Sequence, residues 1–236
     1  MRSKAARPRA VVGVAAAIAL TGLAVAGCGT NKMGAAAITG SSRISSSTLT
    51  TQVANLNSAY VTDKAKGITP QRATAQETQQ VLTWLILFKI YDQIAVQQGI
   101  HVTPAQAQKQ LAGLSSEASQ NKVSLDEYVS AAGALPPDLT PQLGQYFAIL
   151  SALEGRLDGG TAPTTTSGQS KLQSQVGHAQ CLAAKSLAVK VNPQYGQFDY
   201  GSYSVVPAPS KLAAAAASAS PSPSASSTPA VVNPPC

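Results

Sequence analysis

The cysteine at position 28 is the side chain best placed for a covalent reaction in this chain. It follows an apolar run over residues 10–26, with only Gly27 between them, and four cations precede that run. These cations are Arg2, Lys4, Arg7 and Arg9. A positive start, a short apolar stretch and small residues before a cleavage point are typical of a secretory signal peptide. We therefore expect residues 1–27 to be removed, which makes Cys28 the first residue of the mature chain.

The four residues Val25-Ala26-Gly27-Cys28 resemble the lipobox of bacterial lipoproteins. In that family the thiol receives diacylglycerol, the signal is cut ahead of the cysteine, and the new amino terminus is usually acylated. The resemblance implies that Cys28 is the lipidation site and that the protein is anchored at the extracytoplasmic face of the cell membrane. The alternative is an ordinary signal peptide, or an uncleaved anchor, in which the cysteine is incidental.

The rest of the chain offers few side chains for catalysis or metal binding. Its two histidines, His101 and His178, belong to no HExxH motif, so no metal site is expected. There is no G-x-S-x-G elbow, P-loop or G-x-G-x-x-G motif, and the 10 acidic residues are too dispersed to suggest paired catalytic carboxylates. We expect a protein that is not an enzyme and that has no cofactor.

Charge and hydropathy restrict the partners of the mature chain. Removing the four cations of the signal from the 17 Lys and Arg leaves 13, against 10 Asp and Glu. This weak, scattered positive charge does not indicate a nucleic-acid partner. No second apolar run reaches the roughly 18 residues that a transmembrane helix needs, so the lipid is the expected membrane contact.

Two further cysteines, Cys181 and Cys236, remain once Cys28 is assigned to the lipid. An even pair in an oxidising compartment can form a disulfide, and an intramolecular Cys181–Cys236 bond is one prediction. The alternatives are two unpaired thiols or an intermolecular bond through Cys236.

Composition divides the mature chain into a tether, one domain and a tail. Residues 28–34 form a short tether, and residues 207–236 alternate Pro, Ser and Ala with few large apolar groups. Such a tail cannot offset the entropy of ordering, so we expect it to be disordered. Residues 159–170, rich in Gly and Thr, predict a flexible linker between residues 35–158 and residues 171–206 of the same domain.

Apolar spacing and capping residues predict a mainly α-helical bundle with a few short strands. Residues 35–39 and 42–45 flank Gly40 and indicate a strand pair, and the alternation over 187–191 indicates a further strand within 187–206. Helices are predicted from the Ser/Thr run at 45–48, over 70–98, from Thr103, from Ser124, from Thr140 and over 170–186.

The segment over residues 81–96 is apolar around nearly the whole helix axis, which is typical of a central helix covered on most sides. Trp84, Phe88 and Tyr91 fall at i, i+4 and i+7 along it and form an aromatic edge. Tyr146 and Phe147 belong to a second apolar stripe on the last long helix. Core packing is one interpretation of these residues. The other is that they line a groove that binds apolar peptide segments.

The segment Gln98-Gly99-Ile100-His101-Val102-Thr103-Pro104 ends one helix and begins another. Together with Ser124-Leu125-Asp126-Glu127-Tyr128 and the order of elements, it resembles the N-terminal module of SurA-type periplasmic chaperones and related foldases. The resemblance covers residues 35–158 and 187–199. It implies a helical module that binds unfolded exported polypeptides.

Many members of that family carry a parvulin prolyl-isomerase domain between the helical module and the closing strand. Here only the 159–170 linker and one helix occupy that interval, so isomerase activity is not expected. The sequence therefore favours a lipid-anchored, non-catalytic holdase for exported polypeptides. The alternative is a structural or accessory envelope lipoprotein that docks on one specific protein partner.

Overall fold

The computed structural model describes residues 34–68 and 76–208, which form one compact unit. Within them the chain is mainly α-helical with a few short strands, as the sequence predicted. The helices are α1 Ser46–Ala65, α2 Glu77–Gln98, α3 Pro104–Gln120, α4 Leu125–Gly133, α5 Thr140–Leu157 and α6 Thr166–Leu187, with a 3-10 turn at Pro137–Leu139. The strands are β1 Ala35–Thr39, β2 Ser42–Ser45, β3 Lys190–Val191, β4 Gln197–Asp199 and β5 Ser204–Val206. The predicted signal peptide, Cys28 and the predicted tail from residue 209 lie outside the described residues.

A three-stranded sheet joins the start of the described chain to the segment that follows α6. Strands β1 and β2 pair antiparallel around Gly40, whose φ of 61° lies in the left-handed region that favours glycine. On its other side β1 pairs antiparallel with β3, which gives the sheet order β2-β1-β3. Strands β4 and β5 form a separate antiparallel pair.

The predicted helix starts are confirmed where a side chain caps them. The hydroxyl of Ser45 accepts a hydrogen bond from the backbone N–H of Thr48 at 2.9 Å and caps α1. Thr103 and Ser124 each form a complete capping box, with Gln106 and Glu127 as the reciprocal partners. These caps satisfy backbone N–H groups that have no partner within the helix.

Two predicted boundaries are corrected. Helix α6 begins at Thr166 rather than Ser170, because the hydroxyl of Thr165 accepts from the backbone N–H of Gly168 at 3.2 Å. The same helix runs to Leu187, so the strand predicted over 187–191 is reduced to Lys190–Val191. Of the predicted 70–98 helix, the part from Glu77 to Gln98 is helical, and residues 69–75 lie outside the described residues.

Helix α2 is the centre of the bundle, as its apolar pattern predicted. It contacts α1, α5, α6, β1 and β5. Five of its apolar side chains are fully buried, namely Val81, Leu82, Ile86, Ile90 and Ile94. The apolar pattern overstates its extent, because Val96 in the last turn is 76% exposed.

Helices α3 and α5 approach closely at Gly144. A Cβ built at Gly144 would lie 2.8 Å from Cγ of Leu111 and 2.9 Å from the carbonyl oxygen of Ala107. The backbone oxygen belongs to α3 and cannot rotate away as a flexible side chain can. The absence of a side chain at Gly144 therefore permits this helix contact.

A Gly144→Ala substitution should lower the free energy of unfolding by about 1 to 3 kcal/mol, since the added methyl group overpacks the contact. The matched control is Gly113→Ala in α3, where a Cβ meets no atom within 4 Å. That change should stabilise the protein by about 0.5 to 1 kcal/mol through helix propensity alone. Urea unfolding of both variants measures the difference, and equal effects would contradict the close contact.

Candidate peptide-binding cleft

The structure brings the five predicted aromatic residues together in one cluster centred on Tyr146. The ring of Tyr146 lies 4.3 Å from that of Tyr91, 5.0 Å from Phe147, 6.1 Å from Trp84 and 6.3 Å from Phe88, measured between centroids. Trp84 and Phe88 stack on each other at 5.8 Å. Edge-to-face and tilted rings of this kind stabilise a core beyond the area that they bury.

Most of this cluster is part of the core. Tyr91 is 2% exposed and Phe88 is 8% exposed. The indole N–H of Trp84 donates to the carbonyl oxygen of Gly133 at 2.9 Å, which fixes the ring against the end of α4. The aromatic edge of α2 is therefore not an open stripe, and any binding surface must be formed by the part of the cluster that remains accessible.

The tyrosine hydroxyls of the cluster form a polar chain inside this core. The Tyr91 hydroxyl accepts a hydrogen bond from Nε2 of Gln180 at 2.8 Å and is also hydrogen-bonded to the hydroxyl of Tyr146. Burial raises the pKa of both tyrosines above the ordinary value. Both hydroxyls are therefore neutral at physiological pH and serve as hydrogen-bonding groups rather than as bases.

Three residues of the cluster lie at the floor of a cleft between α1, α2 and α5, and of these only Tyr146 is partly exposed. The cleft has a volume of about 310 Å³. Its apolar lining consists of Leu85, Phe88, Tyr91, Leu139, Tyr146 and Ile149. Its polar lining consists of Thr48, Gln52, Lys89, Asp92, Gln142 and Gln145. Of the five predicted binding residues, Phe88, Tyr91 and Tyr146 thus line the cleft, whereas Trp84 and Phe147 do not.

The rim of the cleft carries both bonded and unbonded polar groups. Nε2 of Gln145 donates to a carboxylate oxygen of Asp92 at 3.3 Å, and Nζ of Lys89 lies 3.4 Å from the other oxygen. The amide oxygen Oε1 of Gln52, in contrast, is buried without a hydrogen-bond partner among the described residues. Because this oxygen is closed off from solvent, a ligand N–H reaches it only if the Gln52 side chain rotates toward the cleft.

The amide side chains of the rim were not found from the sequence. Gln52 belongs to α1, while Gln142 and Gln145 belong to α5, so their common position depends on how these helices pack. Spacing of three along α5 places the two glutamines on one face. Nothing in the sequence signals that Gln52 faces them.

A second polar site joins α1 to α4. Lys66 forms a hydrogen-bonded ion pair with Glu127. The pKa of Glu127 is lowered to about 2 by this bond and by hydrogen bonds from the backbone N–H and the hydroxyl of Ser124. Nearby, the hydroxyl of Ser130 donates to the buried carboxylate of Asp63 at 2.6 Å. These contacts fix α4 against α1, and we assign them a structural role.

The remaining candidate residues are placed as follows. Cys181 in α6 is disulfide-bonded, and the two other cysteines of the chain lie outside the described residues, so its pairing with Cys236 stays a prediction. His101 and His178 are both exposed. Among the described residues no group of three potential ligands is arranged to hold a metal ion, and no helix is long and apolar enough to cross a membrane.

No protein-family model, curated protein or solved structure matches this chain. The likeness to lipoproteins and to SurA-type chaperones therefore rests on the sequence motifs quoted above.

Proposed function

We propose that this protein is a lipid-anchored, extracytoplasmic holdase that binds unfolded exported polypeptides without catalysing a reaction on them. The observation that supports this most is the cleft between α1, α2 and α5. It combines an apolar aromatic floor with amide side chains from Gln52, Gln142 and Gln145. An unfolded polypeptide supplies both complements, namely apolar side chains and free backbone N–H groups.

The size of the cleft suits a short apolar segment. Its volume of about 310 Å³ is at the lower end of the range found for ligand pockets. Burying one large apolar side chain contributes about 1.5 to 3 kcal/mol, which is a roughly tenfold to hundredfold gain in affinity. Such binding is weak and reversible, as a holdase requires, because the client must be released to fold.

The polar rim supports binding of a main chain rather than of a hydrocarbon ligand. Glutamine side chains offer both donors and acceptors, so they can pair with the N–H and the C=O of an extended peptide. Gln52, Gln142 and Gln145 surround the apolar floor on two helices. The charges of Lys89 and Asp92 lie close enough to compensate each other. The rim therefore selects neither positively nor negatively charged clients.

The short segment between α5 and α6 supports a non-catalytic role. Rotation about an X-Pro bond has a barrier of about 18 to 20 kcal/mol, and lowering it needs a shaped site around the proline. The segment between α5 and α6, at the place where many SurA-type chaperones carry an isomerase domain, has only the residues 158–165. We therefore expect the protein to leave proline isomerisation rates unchanged.

Filling the cleft should abolish holding without unfolding the domain. Gln142 is exposed at the rim, and a Gln142→Trp substitution would place a ring over the apolar floor. We expect this variant to lose at least about tenfold in affinity for an unfolded client, because one buried apolar side chain is excluded. The measurement is the delay of client aggregation by the mature chain, titrated with holdase concentration.

The matched control is Gln108→Trp, an identical change at an exposed position of α3 that does not line the cleft. It should delay aggregation as well as the unmodified protein does. Equal activity of the Gln142→Trp variant would show that the cleft is not the client site. Failure of the unmodified protein to delay aggregation would refute the holdase proposal itself.

A second candidate function is that of an accessory lipoprotein that docks on one defined envelope partner. The observation that favours it is the small exposed apolar surface. Among the described residues the exposed large apolar side chains are Val61, Val96 and Leu182. So little exposed apolar surface offers few contacts to a range of unfolded clients and suits a single defined partner.

A further inference from the structure

A second cavity lies between the first half of α2, α6 and residues 202–207, which include β5. It has a volume of about 530 Å³. Most of its lining residues carry a side-chain amide or a hydroxyl, and among the described residues that line it none is charged. An ion or a phosphate group would need an opposite charge there to offset its desolvation. The lining of this amide-lined cavity therefore indicates a neutral, polar ligand.

Four glutamine side chains supply the amides. Gln76, Gln79 and Gln80 lie at the start of α2, and Gln180 approaches them from α6. Among the described residues, the side-chain amides of Gln76 and Gln79 form no hydrogen bond. Each amide offers two N–H donors and a carbonyl oxygen that accepts. Such groups match a ligand that carries hydroxyls, because a hydroxyl both donates and accepts.

Tyr203 supplies an aromatic wall that is fixed in advance. Its hydroxyl donates to the carbonyl oxygen of Gly177 at 3.0 Å. The turn before it is fixed by Asp199, whose carboxylate accepts from the backbone N–H groups of Gly201 at 2.9 Å and Ser202 at 3.2 Å. The φ of Tyr203 is 50°, in the left-handed region that a bulky side chain rarely adopts. Backbone strain that is maintained in this way is typical of ligand-binding sites.

The edge of β5 does not offer a ladder for an added peptide strand. The backbone N–H of Val205 already donates to the hydroxyl of Thr83 at 2.9 Å. Two residues further along the same edge, Pro207 has no N–H. Strand addition needs free main-chain groups at alternate residues. A ligand in this cavity must therefore bind through the side chains.

We propose that the amide-lined cavity binds an uncharged saccharide. The sugar hydroxyls pair with the amides of Gln76, Gln79 and Gln180, and one face of the sugar ring packs on Tyr203. The C–H groups of that face are slightly positive, and the negative face of an aromatic ring attracts them. This site goes beyond the proposed holdase function, since the cavity shares only Tyr146 with the peptide-binding cleft.

Isothermal titration of the full mature chain with trisaccharides tests the proposal, in a detergent that has no sugar head group. The probes are the neutral trimers of glucose and of N-acetylglucosamine, with the trimer of galacturonic acid as the charged control. We expect at least one neutral trimer to bind with a Kd below about 1 mM, and the charged trimer to bind at least about tenfold more weakly. Binding of neither neutral trimer, or equal binding of the charged one, would overturn the proposal.

A Gln76→Met/Gln79→Met variant tests the amides. Methionine keeps the length and the helix propensity of glutamine but cannot form these hydrogen bonds. The affinity for the neutral trimer should fall about tenfold, because two hydrogen bonds are lost. The matched control is Gln169→Met/Gln173→Met, the same change at exposed positions of α6 outside the cavity, which should leave the affinity unchanged. Equal affinities of the two variants would overturn the proposal.

A Tyr203→Leu variant tests the aromatic wall, since leucine is apolar but has no ring. It should also bind the neutral trimer about tenfold more weakly, and its circular dichroism shows whether it is folded. An unchanged affinity would refute stacking on Tyr203, and if this variant unfolds, the glutamine variant decides the proposal. The Gln142→Trp variant should bind the trimer as the unmodified protein does, because Gln142 lines only the peptide-binding cleft. Failure of either site is therefore distinguishable from failure of the other.

Discussion

A Tyr146→Ala variant should lose about 3 kcal/mol of unfolding free energy, the largest loss that we expect from a single change in the described domain. Its ring contacts four other aromatic rings, from Tyr91 at 4.3 Å to Phe88 at 6.3 Å. These contacts join α2 to α5, and truncation at Cβ leaves a cavity between the two helices. Chemical denaturation in urea, with the slope held common to all variants, measures the loss.

The control for this variant is Tyr146→Phe. It keeps the ring and its packing but removes the hydroxyl that is hydrogen-bonded to Tyr91, so it should cost only about 1 kcal/mol. A similar loss in both variants would show that the hydroxyl, not the ring, stabilises the contact. A loss below 1 kcal/mol in the alanine variant would contradict the central position of Tyr146 in the core.

The helices were predictable because their signals are local. Ser45, Thr103 and Ser124 cap the helices that they precede, and each cap needs only residues within one turn. The end of α2 at Gly99 is local in the same way, since its φ of 58° favours glycine. The start of α6 was predicted four residues late, at Ser170 instead of Thr166. Both Thr165 and Ser170 are residues that can cap a helix, and the sequence does not decide between them.

The strands at the C-terminal end were harder to place. β3 has two residues and is formed by pairing with β1, which lies about 150 residues earlier in the chain. The alternation of apolar and polar residues over 187–191 predicts a strand, but it cannot show that Leu187 still belongs to α6. The left-handed Ala188, with a φ of 44°, separates α6 from β3 and has no sequence signature.

The aromatic residues of the candidate site were recognised, but not which of them are accessible. The helical periodicity of the sequence places Trp84, Phe88 and Tyr91 on one edge of α2. It does not show that α5 covers this edge. The cleft arises from the angle between α1, α2 and α5, and the acceptor at Gln52 depends on that packing. Type and periodicity of residues predict elements, whereas accessibility is a tertiary property.

A Cys28→Ser variant exported with an ordinary cleavable signal peptide in place of residues 1–27 should move from the membrane fraction to the soluble fraction almost completely. The exchange is needed because removal of the lipoprotein signal follows lipidation of the cysteine, so the unexchanged variant would keep the apolar run over residues 10–26. Stable anchoring needs two or more acyl chains, because a single chain binds a bilayer only marginally. No helix among the described residues is long and apolar enough to replace the anchor. The small net charge of the mature chain cannot hold it at the membrane surface either. Fractionation followed by immunoblotting measures the distribution.

The matched control is Cys236→Ser, which removes a different cysteine and should remain with the membrane. Mass spectrometry of the mature amino terminus should show the diacylglyceryl and acyl masses on Cys28 in the unmodified protein. An unmodified amino-terminal peptide, or a signal-exchanged Cys28→Ser variant that still sediments with membranes, would refute the lipid anchor. The holdase and the anchor are separable by this design, since the soluble Cys28→Ser chain keeps the cleft and should still delay aggregation.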